Sequence, residues 1–308
     1  MSDSVRTQLK ASASGQNMRK RQSPKRKQSK KREPEQKQQP QIEEVSHETS
    51  SIEEHANVLF KPNPGPQTEF LAASEREVLY GGSAGGGKSY AMLADPLRYM
   101  GHPQFSGLLL RHTTEELREL IFKSQELYPK IWPGIKWSER KMQWTAPSGA
   151  RLWMSYLDRD DDVLRYQGLA FSWIGFDELT QWATPYAWNY MRSRLRSTAP
   201  DLPIFMRGTT NPGGRGHQWV KKMFIDPAPY NRSFDATDIE TGEVLKYPAG
   251  HSKAGKSLFK RRFIPARLSD NPYLSQAGDY EAMLLSLPEQ QRSSFLKRLG
   301  HQRRCSVY

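Results

Sequence analysis

The stretch Val78-Leu79-Tyr80-Gly81-Gly82-Ser83-Ala84-Gly85-Gly86-Gly87-Lys88-Ser89 decides how the rest of the chain is read. An apolar run opens into a glycine-rich loop and closes on Lys-Ser. From Gly82 to Ser89 the spacing is G-x-x-x-x-G-K-[ST], the pattern of a phosphate-cradling P-loop. Backbone N–H groups turn toward phosphate oxygens only where no side chain blocks the approach and unusual φ values are allowed, and glycine meets both needs. Gly82, Ser83, Ala84, Gly85, Gly86 and Gly87 would form the cradle. Lys88 would bring its ammonium to the β- and γ-phosphates, and the Ser89 hydroxyl would ligate Mg²⁺ at the start of the following helix. The β-type run 77–80 before the loop, and the helical spacing of Tyr90, Met92, Leu93, Leu97 and Met100 after it, supply the strand, loop, helix order that this chemistry requires.

Just upstream, residues 60–70 are rich in proline and glycine and then start a short helix. Gln67 reads in two ways there. It is an ordinary surface glutamine, or it presents its amide, one donor and one acceptor, to the complementary edge of an adenine. Further back, residues 1–55 are Lys, Arg, Gln, Ser and Glu with few aliphatics, too apolar-poor to offset the entropy of ordering, and are expected to be a disordered basic tail. Twelve Lys/Arg against three acids fall in residues 1–40, so nine of the chain's thirteen net positive charges sit there. That tail is either an arm holding nucleic acid or an acidic partner, or a solvated linker.

The 308 residues have room for one large domain or two smaller ones. The single cysteine, Cys305, excludes an intrachain disulfide and any cysteine metal cluster. No apolar run has the length of a membrane span and no secretory segment leads the chain, so a soluble intracellular protein is expected.

Downstream of the loop, 107–111 reads as a second buried strand and 113–128 as a helix with Thr114 as N-cap. Residues 136–144 and 150–157 read as a hairpin closed by Pro147-Ser148-Gly149, with Trp132, Trp137, Trp144 and Trp153 as packing residues. Next comes Phe171-Ser172-Trp173-Ile174-Gly175-Phe176-Asp177-Glu178, an apolar strand ending in two acids, the Walker B arrangement. Asp177 would hold Mg²⁺ and Glu178 would act as general base on the attacking water. A third strand, 202–208, ends in Thr209-Thr210-Asn211-Pro212-Gly213-Gly214. Ligands sit at the carboxyl ends of parallel strands, so this cluster can face a γ-phosphate; equally it is a Pro-Gly turn with polar caps. The expected fold class is α/β, a P-loop NTPase with a mostly parallel central sheet flanked by helices.

Together these residues resemble the ATPase part of a bacteriophage terminase large subunit, a motor that packages DNA. The resemblance spans residues 60–296. It is carried by Pro66-Gln67, the glycine loop, Arg165-Tyr166-Gln167-Gly168 ahead of Phe176-Asp177-Glu178, and Thr210-Asn211-Pro212-Gly213-Gly214 followed by His217-Gln218-Trp219-Val220. Asp270-Asn271-Pro272-Tyr273-Leu274, Tyr280 and Leu287-Pro288-Glu289 resemble the family's linker. The resemblance implies an ATPase at 56–265, a linker at 266–308, ATP and Mg²⁺ as cofactors, and a homo-oligomeric ring acting in the host cytoplasm. Its partners would be double-stranded DNA, a terminase small subunit and a portal protein, with no membrane. It implies that Thr210 and Asn211 couple hydrolysis to DNA movement, and that Arg165 reaches a neighbouring subunit's ATP unless it is a structural ion-pair partner. The family continues into a metal-dependent nuclease domain, and the basic ending 295–305 is unlike it. One back-translation of residues 297–308, read out of frame, resembles the family's junction between domains, so a frameshift is expected to have cut the reading frame and no nuclease activity is expected. The rival readings are another P-loop nucleic-acid translocase or helicase, and an inactive fragment that only binds DNA through its tail.

Overall fold

The computed structural model describes residues 60–275 together with Ala282, Met283, Leu285 and Ser286. The expected tail at 1–55, Tyr280, Leu287-Pro288-Glu289 and the ending with Cys305 lie outside the described residues.

Pro66 at the first turn starts α1, Pro66–Ala72, whose inward face is Gln67 and Phe70. Strand β1, Glu77–Gly82, is buried along its whole length and feeds the glycine loop. Gly87 is left-handed, at φ 74°, and sets the start of α2, Lys88–Ala94. The expected longer helix stops there because Pro96 has no N–H to continue it, and the chain runs on as a 3₁₀ turn over Asp95–Tyr99. Strand β2, Ser106–Arg111, leads to α3, Thr114–Ile131. Thr113, not Thr114, caps that helix, because its side chain accepts from Glu116 N–H at 3.3 Å.

The expected hairpin forms from three strands rather than two. β3, Lys136–Ser138, pairs antiparallel with β4, Gln143–Thr145, and β4 pairs antiparallel with β5, Arg151–Tyr156. The run 136–144 breaks because residues 139–142 turn back, with Met142 left-handed at φ 49°. Trp137 and Trp144 then pack ring to ring, with centroids 5.3 Å apart. The remaining elements are β6 (Trp173–Phe176), α4 (Tyr186–Arg192), β7 (Phe205–Thr210), α5 (His217–Phe224), β8 (Ser233–Asp235), β9 (Lys260–Ala266) and α6 (Pro272–Ser275).

Among the described residues these strands make one nine-stranded sheet, ordered β3-β4-β5-β2-β6-β7-β1-β9-β8. Its six central strands are parallel and its edges antiparallel. Central strands with both faces covered need apolar side chains on both, and β2 shows it: Leu109 joins the core under α2 and α3, whereas Leu108 and Leu110 join the core under α4 and α5. Gly175 lets α2 lie close to the sheet, since a Cβ there would sit 2.8 Å from Met92 Sδ.

At the amino ends of the strands, away from the loop, charges are buried in pairs. Glu77 is fully buried between Arg192 and Arg261, the latter at 2.7 Å. Arg207, also fully buried, donates to Ala73 O at 2.8 Å and Glu75 O at 2.9 Å and lies 3.4 Å from Asp95. Such pairs are weak stabilisers as units but costly to break, because a lone buried charge remains.

Candidate nucleotide-binding site

The register of the parallel strands dictates which side chains meet at their carboxyl ends. Leu110 is level with Phe176, and Phe176 with Gly208. The next residue on each strand, Arg111, Asp177 and Thr209, therefore projects from the same level and the same face, and Tyr80 on β1 is level with Thr209. The contacts follow from that alignment. Arg111 Nε lies 3.3 Å from Asp177 Oδ2, and Thr209 Oγ1 donates to Asp177 Oδ1. Tyr80 donates to Gly86 O at 3.0 Å, bracing the loop from below.

Asp177 is fully buried, and the Ser89 hydroxyl approaches its Oδ2 at 3.5 Å. The expected metal pair is thus brought together. A hydroxyl and a carboxylate are hard oxygen donors of the kind Mg²⁺ takes in small number, keeping waters and phosphate oxygens for its other positions. Among the described residues no group of three or more His, Cys, Asp or Glu is placed to hold a metal by protein ligands alone. A cation held here would depend on oxygens that a ligand brings.

Glu178 sits in the left-handed region, at φ 60°, a conformation that a non-glycine residue holds only when its surroundings fix it. Its N–H donates to Thr209 Oγ1 at 3.1 Å. Its carboxylate accepts from Asn211 N–H at 3.1 Å and Asn211 Nδ2 at 2.7 Å. Burial raises the Glu178 pKa and the neighbouring Asp177 charge raises it further, while Lys88, Arg111 and the Asn211 N–H oppose them. Asn211 Oδ1 is buried and has no hydrogen-bond partner among the described residues.

Lys88 folds back onto its own loop, donating to Ser83 O at 2.7 Å and Gly82 O at 3.4 Å. Burial lowers its pKa, and Glu178 and Asp177 pull it back up. A cavity of about 260 Å³ opens above the loop, lined by residues 84–90 together with Lys123, Glu178, Asn211 and Asn271.

The other expected site residues land as follows. Gln67 is 5% exposed and packs behind the loop, its Oε1 accepting from Asn63 N–H at 2.6 Å and its Nε2 donating to Gly87 O at 3.0 Å. Its amide thus meets the backbone of Asn63 and of Gly87 and does not line the cavity. Thr210 points to the opposite face of β7, donating to Thr180 Oγ1 at 2.9 Å, so Thr209 and Asn211 reach the acids and Thr210 does not. Arg165 lies outside the cavity, half-exposed, pairing with Asp162 at 2.7 Å and lying over the Tyr156 ring.

The sequence reading missed Arg111 and Lys123, the contact of Thr209 with Asp177, and the role of Asn271. Asn271 follows β9 and a short turn, and donates to Gly85 O at 2.6 Å, closing the loop from the far end of the chain. Arg111 is 8% exposed, and neither its Nε nor its Nη1 makes an aligned hydrogen bond among the described residues, although the ion pair to Asp177 is within reach.

No family model matches the chain, and no curated protein matches it. Solved structures do. The large terminase of a thermophilic bacteriophage, in complex with ADP, superposes with a TM-score of 0.51 at 14% identity, over 75% of this chain and 52% of that one. The large terminase ATPase domain of Thermus phage P74-26 follows at 0.48 and 12%, over 77% and 92%. The viral genome packaging motor assembly of bacteriophage Phi-29 gives 0.42 and 13%, over 80% and 72%. The chain has the α/β fold of the ADP-bound large terminase and spans about half of its length.

Proposed function

We propose that this chain is an ATP-hydrolysing motor subunit that moves double-stranded DNA into a viral procapsid. The observation that carries the hydrolytic part is that Glu178, fixed by Asn211 and Thr209, faces the same cavity as Lys88 and the glycine loop. The DNA-packaging part draws on the motifs that resemble a terminase large subunit and on the fold likeness to the thermophilic phage's large terminase, whose structure holds ADP.

ATP with Mg²⁺, when bound, would supply the γ-phosphoryl group and the divalent charge that polarises it. The residues of the chain do the rest. The loop N–H groups hold the phosphates, and Lys88 exchanges its loop carbonyls for phosphate oxygens. Ser89 and Asp177 would hold the cation, and Arg111 and Thr209 keep the Asp177 carboxylate in place. Glu178 takes the proton of the attacking water, and Asn211 orients that carboxylate through its backbone N–H and its Nδ2. Gln67, Tyr80 and Asn271 brace the loop rather than read the base. Asn211 joins the turn after β7 to the base, so it is the residue through which hydrolysis would be passed on, with Thr210 linking that turn to Thr180. Arg165, exposed and off the cavity, would serve a neighbouring subunit in a ring. The motor would work in the host cytoplasm with a small subunit and a portal, gripping phosphates rather than bases.

Glu178→Gln tests this reading. It should keep ATP binding and lose turnover by at least about a hundredfold, the usual worth of a general base. Full turnover in Glu178→Gln would exclude Glu178 as the base. Duplex DNA should stimulate the wild-type rate without separating the strands; strand separation on a forked duplex would instead point to a helicase.

A further inference from the structure

The cavity above the glycine loop has a second cation on its wall. Lys123, on α3, lines it, with its ammonium 5.7 Å from the centroid of the ring of Tyr90, the residue that follows Ser89. Its ion-pair partner is Glu119, one turn earlier and 61% exposed on its side chain. An ion pair so open to solvent holds weakly, so Lys123 is cheap to redirect.

Charge balance says what would redirect it. At neutral pH a nucleoside diphosphate carries about three negative charges and a triphosphate about four, since a terminal phosphate loses its second proton near pH 6. Lys88 and a divalent cation offset the diphosphate and leave the triphosphate short of about one positive charge. Arg111 is taken up by Asp177, and Glu178 faces the same cavity with a carboxylate of its own, which deepens the shortfall. Lys123 is the further cation that the cavity wall presents among the described residues.

We propose that Lys123 makes this site discriminate a nucleoside triphosphate from a diphosphate, leaving Glu119 to pair with the terminal phosphate. The assignment rests on the ATPase reading above and adds to it a residue outside the P-loop, on a different helix. The triphosphate is favoured because only it offers the fourth charge, and release of the terminal phosphate returns Lys123 to Glu119.

The test is calorimetric binding to the full chain, with Mg²⁺, of ADP and of the non-hydrolysable β,γ-imido analogue of ATP. Lys123→Gln should weaken the analogue about tenfold or more, the usual worth of a charge-assisted hydrogen bond, and ADP less than about threefold. Lys123→Arg should bind the analogue within about threefold of wild type, because the charge is kept. Glu119→Gln should bind it no more weakly than wild type. An unchanged analogue affinity in Lys123→Gln, or equal losses for both nucleotides, would overturn the assignment while leaving the ATPase reading intact. A wild-type chain that binds neither nucleotide would overturn both.

Discussion

Replacing Asn211 by alanine removes the 2.7 Å hydrogen bond from Nδ2 to the Glu178 carboxylate but leaves the 3.1 Å bond from the backbone N–H. A hydrogen bond to a charged group is worth about 1.5–3 kcal/mol. Because Glu178 is held in a left-handed conformation, loss of the bond frees the carboxylate to leave its working position rather than to relax in place. If that energy is used in the transition state, kcat falls by roughly 10- to 150-fold. That is milder than losing the base itself, because the backbone donor and the Thr209 contact survive. Steady-state phosphate release over a range of ATP concentrations measures it. The expected result is a fall in kcat with KM changed less than about threefold. A KM that rises while kcat holds would show that Asn211 binds ligand rather than aligning the base, and an unchanged kcat would refute the clamp.

Thr209→Val keeps the shape of the side chain and removes the donor to Asp177 and the acceptor for Glu178 N–H; it should lower stability by about 1–3 kcal/mol in denaturant titration and raise the Mg²⁺ concentration needed for half-maximal turnover. Mixing Arg165→Ala chains with Glu178→Gln chains should restore turnover that neither shows alone, through interfaces pairing an intact Arg165 with an intact Glu178; no recovery in the mixture would exclude action between subunits. Burial pushes the Glu77 carboxyl up, but the Arg192 and Arg261 guanidinia together outweigh it and hold its pKa below the ordinary carboxylate value. A depressed folded-state pKa contributes stability that is present above the unfolded value and lost as pH falls toward the folded one. Melting temperature should therefore drop as pH is taken down through and below the ordinary carboxylate range, and Glu77→Gln should be destabilised at neutral pH and show a shallower drop.

What the sequence made legible was local. Glycine spacing around Lys88 and Ser89, an apolar run ending in Asp177 and Glu178, and a polar strand end at Asn211 each announce their chemistry within a few residues. What it hid depends on register and distance. Thr209 and Thr210 are alike and adjacent, and only the alignment of β7 with β6 and β1 decides that Thr209 faces Asp177 while Thr210 faces Thr180. The alternation of β2 under Leu109 would have put Arg111 on the α3 face, but not beside Asp177, which needs β2 and β6 to be neighbours. Asn271 closes on Gly85 from 186 residues away, a contact no local pattern encodes. Gln67 does sit against the loop, yet its amide meets backbone, because Asn63 N–H and Gly87 O offer the donor and acceptor pair first. Lys123 has the spacing of a solvated Glu-Lys helix pair, and it becomes a cavity residue only because α3 packs beside α2.

Equilibrium binding of ATP with Mg²⁺ to the full chain and to Lys88→Ala is the decisive measurement, because the proposed chemistry of Glu178, Asp177 and Asn211 requires a triphosphate in the loop ahead of Lys88. The wild type should bind saturably, and Lys88→Ala, which lacks the ammonium that exchanges Ser83 O for phosphate, should bind at least about tenfold more weakly. Absence of binding by the wild type, or equal binding by the two, would contradict that chemistry.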